Sequence, residues 1–274
     1  MQYTNYDTFM IVELNEIHRR SIVKLGKLTG KVAIVTGASK GIGAGIAKSM
    51  AVEGASVAVN YSTSKEEADR VVADITAKGG KAIAIQADMS KAADVQRLFK
   101  ETNQAFGAPS ILVNNAGVFK FEPVEAITED EFHREYNTNV LGIILASQQA
   151  LKFFPSEGGS IINISSIASQ NPVPHSALYS STKAAVDTLS LALAKELGPR
   201  NIRVNIVAPG HTETEGLHQI GLIGSELGNM LIASTPLGSR FGQPEDIAPS
   251  VVFLASDDAS WLTGERINAS GGVH

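Results

Sequence analysis

The run Tyr179-Ser180-Ser181-Thr182-Lys183 sets a phenol and an amine four residues apart, which on a helix places both on one face. A phenol can hand a proton to a carbonyl oxygen and, once ionised, take one from an alcohol; a neighbouring ammonium favours the ionised form. A Tyr-x-x-x-Lys spacing by itself occurs by chance in many helices. Here it follows a β-rich run, 160–165, that closes on Ser165 and Ser166. That is the carboxyl end of a strand, where open α/β sheets hold their ligands.

A second constellation is Thr36-Gly37-Ala38-Ser39-Lys40-Gly41-Ile42-Gly43, between an apolar run and a helical pattern. Glycines there permit a tight turn and let a pyrophosphate approach the backbone, while the helix N-terminus offers unpaired N–H donors. The spacing is G-x-x-x-G-x-G, and the Gly-Lys-Ser/Thr ending of a P-loop is missing, which argues against an ATPase. A tight turn without a ligand is the bland alternative. The next β-rich run ends in Asn60-Tyr61-Ser62-Thr63-Ser64-Lys65, with no acid before Glu66. An NAD site usually has Asp or Glu at that place, bonding the ribose 2′-OH. Hydroxyls there, with Lys40 in the glycine turn, suit a 2′-phosphate instead. NADP(H) is the expected cofactor and NAD(H) the alternative, Lys40 being otherwise a plain surface lysine.

The elements that must carry these groups alternate. Strands are expected at 32–36, 56–60, 81–86, 110–114, 160–165, 203–208 and 266–269. Helices are expected at 42–53, 64–78, 91–106, 129–154, 179–197 and 244–255. Apolar strands alternating with helices imply a parallel sheet covered on both faces, hence an α/β doubly wound (Rossmann) fold of about seven strands. No linker or low-complexity stretch interrupts it. The division expected is a single domain over 29–274 with a lid at 211–236, preceded by an arm, 1–28, that is disordered or helical over 11–24.

Hydrophobic residues at 43% and charged residues at 19% are ordinary for a globular chain. A net charge of -5 gives no electrostatic reason to expect nucleic acid. The apolar stretch 9–12 is too short for a secretory or spanning segment, so no membrane is expected. The chain has no cysteine, which rules out disulfides and thiolate chemistry and accords with the cytoplasm as its expected location. The histidines at 18, 133, 175, 211, 218 and 274 show no ligand spacing, and no catalytic metal is expected.

Four motifs in order now carry a resemblance: the glycine turn, Asn114-Asn115-Ala116-Gly117, a serine ahead of Tyr-x-x-x-Lys, and Pro209-Gly210. Together they resemble the short-chain dehydrogenase/reductase family, over about residue 28 to the C-terminus. The resemblance implies a catalytic serine thirteen residues before the tyrosine, which selects Ser166 over Ser165. It also implies Asn139, in Asn139-Val140-Leu141-Gly142, as the holder of a water feeding a proton relay to Lys183. Tyr179 becomes the general acid in reduction and the base in oxidation. Bringing a phenol from its usual ~10 to near neutrality takes roughly 4 kcal/mol, for which Lys183 and the charge on oxidised nicotinamide are the expected sources. Lys183 would also hold the nicotinamide ribose.

Cofactor contacts implied in the same way are Asp88 and Met89 after the third strand, then Asn114, Asn115, Ala116 and Gly117. Pro209, Gly210 and Thr214, with Thr212 second, would grip the carboxamide. Asp88 capping a helix and Asn114 tying strands together are the structural alternatives. Specificity is expected from Val118 and Phe119, from 167–178, and from the lid, with Leu217, Ile220, Leu222, Ile223, Leu227 and Met230 to cover a pocket. The expected activity is interconversion of a small ketone or aldehyde and its alcohol. Sugar (glucose-type) dehydrogenases and 3-oxoacyl-carrier-protein reductases share this core; a non-catalytic dinucleotide sensor is the rival of another class. The tail resembles one that packs between subunits, implying a homotetramer, although Ser270 stands where the family usually has Asp.

Overall fold

A computed structural model describes residues 26–273. The helix expected over 11–24 and His274 lie outside the described residues. The chain runs β1 Val32–Val35, α1 Gly41–Val52, β2 Ser56–Tyr61, α2 Lys65–Ala77, β3 Lys81–Gln86, α3 Ala92–Phe106 and β4 Ile111–Asn114. It continues through α4 Glu129–Tyr136, α5 Gly142–Phe153, β5 Gly159–Ile164, α6 Ala177–Leu197 and β6 Ile202–Pro209. Two short helices, α7 Glu215–Gln219 and α8 Glu226–Ala233, precede α9 Pro244–Ala255 and β7 Arg266–Ala269.

All seven strands are parallel, in the order β3-β2-β1-β4-β5-β6-β7. The sheet is buried on both faces because successive residues of a strand point to opposite sides. Ala33 and Val35 join the core under α1, α2 and α9, with Ile46, Met50, Val71 and Ile247. Ile34 and Leu112 point the other way, to Leu98 and Phe99 of α3 and Ala146 of α5. The order of strands reverses between β1 and β4, so the loops leaving these two strands diverge and open a crevice at the sheet's carboxyl edge.

Two expected boundaries shift. Residues 26–28 pack on the domain: Leu28 is fully buried, its N–H donates to Glu53 O at 2.8 Å, and Lys27 pairs with Asp258 at 2.6 Å. The long helix expected over 129–154 is two helices, joined by a π turn at Asn137–Leu141. Such one-residue widenings of a helix mark places where a side chain is needed off the regular face. Asn139, fully buried, is the residue so placed.

Candidate active site

Tyr179 lies in the first turn of α6 and Lys183 one turn on. The lysine is 5% exposed; its Nζ donates to Ile164 O, the last residue of β5, at 3.0 Å and stands 5.6 Å from the Tyr179 ring centre. Burial pushes the Lys183 amine down to about 8, against Asp187 and Glu135, which hold it up. It still carries its proton at neutral pH. Burial likewise pushes the Tyr179 phenol up to about 12, against a hydrogen bond with Ser166 and with a further push from Glu135. The expected drop of the phenol towards neutrality is therefore not a property of the chain alone, because desolvation outweighs what its own residues supply. The chain keeps Tyr179 as an acid.

The two serines after β5 part ways. Ser165 is buried and its hydroxyl donates to Lys183 O at 3.3 Å, a structural tie. Ser166 is half-buried, its Oγ accepts the Ala168 N–H at 3.1 Å, and it is the group that opposes the upward push on the Tyr179 phenol. A network that sequence reading missed fixes its backbone. Ser166 O accepts from Ser169 Oγ at 2.9 Å and from Arg266 Nη2 of β7 at 3.1 Å. Ser169 Oγ lies 2.6 Å from Asp187 Oδ2 as well, so its one proton is shared between that carboxylate and Ser166 O, and Arg266 pairs with the same carboxylate at 3.3 Å. Asp187 sits one turn beyond Lys183, a spacing visible in the sequence; Arg266 lies 100 residues from Ser166 and carries no local signal.

Asn139 is committed to the protein. Its Oδ1 accepts the Val118 N–H at 2.8 Å, and its Nδ2 donates to Val118 O at 2.8 Å and to Thr182 Oγ1 at 3.0 Å. That side chain thus joins the loop after β4 to α6; the expected role of holding a water would fall to other atoms of the residue. Gly117 lies beside both groups: a Cβ there would come 3.4 Å from Asn139 Oδ1 and 3.5 Å from Lys183 Nζ, ordinary contact distances. Just beyond, the rings of Phe119 and Phe121 lie 5.7 and 6.0 Å from that of Tyr179.

The glycine turn faces this constellation from β1. Gly37 has φ +60°, and a Cβ there would lie 2.8 Å from Ala116 Cα. Asn115 Nδ2 donates to Thr36 O and Gly37 O at 2.9 and 3.0 Å, and a Cβ on Gly43 would meet that same nitrogen at 2.5 Å. Thr36 Oγ1 accepts the N–H groups of Asn115 and Ala116, both at 3.0 Å. The loops after β1 and β4 are thereby one unit. At the start of α1 no side chain caps the helix, leaving its first N–H groups for a ligand. Ser39 is buried, Ile42 half-buried and Lys40 exposed. Thr214, with Glu215, lies over the turn, its Cγ2 3.3 Å from where a Cβ of Gly41 would be.

Other expected contacts are placed more structurally. Asn60 is buried; its Oδ1 takes the Gly37 N–H at 3.0 Å and its Nδ2 reaches Ala87 O at 3.1 Å, so it braces the turn from within. Tyr61 is buried, whereas Ser62 and Thr63 are exposed at the strand end. Asp88 Oδ1 takes the N–H and Oγ of Ser90 at 3.0 and 2.7 Å, and Met89 is buried against Gly142. Asn114 donates to Asn163 at 2.8 Å, which donates to Ser190 at 2.8 Å, a buried chain from β4 through β5 to α6. Pro209 ends β6, and Gly210 packs on Ser270, where a Cβ would come 2.7 Å from the serine Cα. Thr212 is buried and bonds Gly210 O at 3.1 Å, so Thr214 is the hydroxyl nearer the glycine turn. Of the lid's apolar residues, Leu217, Leu222 and Ile223 are half-buried while Ile220, Leu227 and Met230 are exposed.

An open cleft of about 510 Å³ extends from the glycine turn between α1, α2 and the start of the lid, lined by Ser39, Lys40, Gly41, Arg70, Thr214 and Pro244 among others. Two of its cations are spent, Lys48 on Asp74 at 2.6 Å and Arg70 on Glu67 at 2.9 Å. Lys40 makes no ion pair among the described residues and is the cation this edge offers to a phosphate. A dinucleotide fits the residues present: the glycine cradle has no room for Cβ atoms of its own, the helix start is uncapped, and the cleft continues past Lys40. Among the described residues no group of three or more His, Asp or Glu side chains could hold a metal, and no helix is long and apolar enough to cross a membrane.

Comparison with known proteins agrees with this fold. A family model described as enoyl-(acyl carrier protein) reductase matches residues 37–274. An uncharacterised oxidoreductase of Methylorubrum extorquens is 57% identical over 249 residues, covering 91% of this chain and all of that protein. A 3-oxoacyl-[acyl-carrier-protein] reductase of Staphylococcus aureus is 41% identical, covering 89% of this chain and 98% of the relative. A short-chain dehydrogenase of Burkholderia cenocepacia, solved in complex with NADP, superposes with a TM-score of 0.83 at 38% identity, covering 90% of this chain and 99% of that one.

Proposed function

The chain belongs to the short-chain dehydrogenase/reductase family, a family of oxidoreductases, and we propose that within it this protein is an NADP(H)-dependent reductase of ketones or aldehydes, reversible towards the alcohol. The arrangement that carries this reading is the half-buried Ser166 after β5 and Tyr179 at the start of α6, with the buried Lys183 Nζ, bonded to Ile164 O at 3.0 Å, standing 5.6 Å from the phenol ring centre. Two hydroxyls meet at one point, and a carbonyl oxygen seated between them receives a bond from each. Tyr179 gives up its phenolic proton to the oxygen as the alcohol forms, and the Lys183 ammonium stabilises the phenolate left behind. Ser166 holds the oxygen in place, and its own backbone is held by Arg266 and Ser169. The reduced dinucleotide, when bound, supplies the hydride.

The residues that would hold the dinucleotide are Gly37, Ser39, Lys40, Gly41, Ile42 and Gly43 at the phosphates, with Ser62 and Thr63 exposed just past the end of β2. Ala116, Gly117, Thr214 and Lys183 face the rest of the crevice. Lys40, without an ion-pair partner among the described residues, favours the 2′-phosphate form, and the NADP complex of the Burkholderia relative supports that choice. Asn60, Asn114, Asn115 and Thr212 brace the site. A homotetramer in the cytoplasm belongs to the same reading, supported by Trp261 of the tail, 97% exposed and apolar, at the surface the resemblance assigns to assembly.

The test is absorbance at the reduced-nicotinamide band with NADPH or NADH and a panel of ketones, ketoesters, aldehydes and 3-oxoacyl and enoyl thioesters, with sugars run in the oxidative direction. Carbonyl reduction with NADPH, abolished in Tyr179→Phe, is the expected result. Reduction of the enoyl double bond alone would move the assignment to the chemistry the family model is named for. Tight NADPH binding without turnover on any substrate would leave the sensor reading standing.

A further inference from the structure

The helix α4 and the π turn after it aim two buried polar side chains at the loop that follows β4. Asn139 takes both backbone groups of Val118. Glu135, one turn earlier, accepts the Lys120 N–H on Oε1 at 2.7 Å. The residue between these ties is Phe119, whose ring meets those of Tyr179 and Phe121 at 5.7 and 5.3 Å and whose far edge lies against Gly216 of α7. The aromatic wall beside the reacting phenol is thus held by one side chain of α4 and one of the π turn that follows it.

A carboxyl is a costly choice for such a tie, since any buried acceptor could bond Lys120 N–H. Glu135 is fully buried, and its Oε2 has no donor among the described residues. Its polar neighbours leave little to neutralise it. On its own helix, Glu131 stands within hydrogen-bond reach but is itself an acceptor, bound twice by Arg134 at 2.9 and 2.6 Å. On the loop, the Lys120 ammonium is drawn off to Glu122 at 2.6 Å. From α6, Tyr179 and Lys183 face it, and both feel its charge.

We propose that Glu135 is a positioning residue of the reaction: it pins the Phe119–Phe121 wall against Tyr179 through Lys120 N–H, and its charge state biases the Tyr179–Lys183 pair. The claim rests on the reductase reading. Burial raises this carboxyl to about 7, so it changes charge in the working range. Below that pH it is neutral. Above it the carboxylate opposes ionisation of Tyr179, which favours the acid form needed for reduction and disfavours the base needed for oxidation.

Glu135→Gln keeps an acceptor for Lys120 N–H but carries no charge. Alcohol oxidation in this variant should begin about one pH unit lower than in the wild type, the size of shift a charge a few ångströms away produces at protein dielectric, with KM within about twofold. Glu135→Leu removes the acceptor, and KM for a bulky ketone should rise about tenfold with NADPH binding unchanged, an effect the Gln variant does not show. Coincident pH profiles of wild type and Gln variant would overturn the electrostatic claim; wild-type KM and kcat in the Leu variant would overturn the positioning claim. Carbon-13 spectra of glutamate-labelled protein decide independently of turnover and of whether the Leu variant folds. One carboxyl should titrate near pH 7 and vanish in Glu135→Gln, and the Phe119 and Phe121 ring signals should move with the same midpoint. Carboxyls that all titrate in the ordinary range, or rings that ignore the midpoint, would sink the proposal. Turnover missing in the wild type would instead count against the reductase reading, with the spectra still judging Glu135.

Discussion

Replacing Gly37 by alanine separates two costs that the glycine avoids. Its φ of +60° is strained for any residue bearing a Cβ, at about 1–2 kcal/mol. The new methyl would also stand 2.8 Å from Ala116 Cα and 3.2 Å from Ala116 Cβ, where carbon contacts prefer 3.5–4.0 Å. Relieving this means moving one loop off the other by up to about 1 Å, at an overpacking cost of about 1–3 kcal/mol. Gly79 is the control: its φ is +81° and no atom lies within 4 Å of its missing Cβ, so alanine there meets strain alone. Without dinucleotide present, Gly79→Ala should lower Tm by about 2–8 °C and Gly37→Ala by about 4–20 °C, always the larger of the two, taking 2–4 °C per kcal/mol for a domain of this size. The displaced loop carries Ala116 and Gly117 and breaks the Gly37 N–H bond to Asn60, so NADPH affinity, read by fluorescence titration, should fall at least about tenfold in Gly37→Ala and stay unchanged in Gly79→Ala. Equal melting of the two variants, or wild-type NADPH affinity in Gly37→Ala, would refute the claim that the two loops are built in contact around the ligand.

Three further outcomes follow from the same geometry. Lys183 has a folded pKa of about 8 against an ordinary 10.5, so its charge costs stability at every pH below about 8, and that cost fades as pH rises from 8 towards 10.5. Lys183→Met should remove about 3 kcal/mol of penalty at pH 7 and give back about 1 by orphaning Ile164 O. The result is a dead enzyme that melts about 4–8 °C higher at pH 7, a gain that shrinks at pH 10. Ser166→Ala should lower kcat about 10²–10³-fold with KM little changed, measured by NADPH oxidation in the steady state; a large KM effect would make Ser166 a binding group instead. Lys40→Glu should weaken NADPH at least about thirtyfold while NADH changes by less than about threefold; equal losses would remove Lys40 from the 2′-phosphate.

The order of elements, the parallel sheet and the four motif positions were legible in the sequence because each rests on local chemistry: the period of apolar residues, a glycine where φ must be positive, a spacing of four on a helix. The expected strands and helices match the structure to within a residue or two, apart from the π turn at Asn137–Leu141, and the two short lid helices α7 and α8 were not expected. Ser166 is chosen over Ser165 only by resemblance; what the structure adds is that Ser165 turns inward to Lys183 O. Distance along the chain hid the rest. Arg266 reaches the Ser166 carbonyl across 100 residues, and Glu135 looks in sequence like one more acid of a solvated helix face although it is fully buried. Nor does any spacing reveal that Tyr179 is pushed to about 12 and Lys183 to about 8. Residue type sets which proton a group can carry, but desolvation and neighbouring charge set how tightly it is held, and both depend on which parts of the chain the fold brings together.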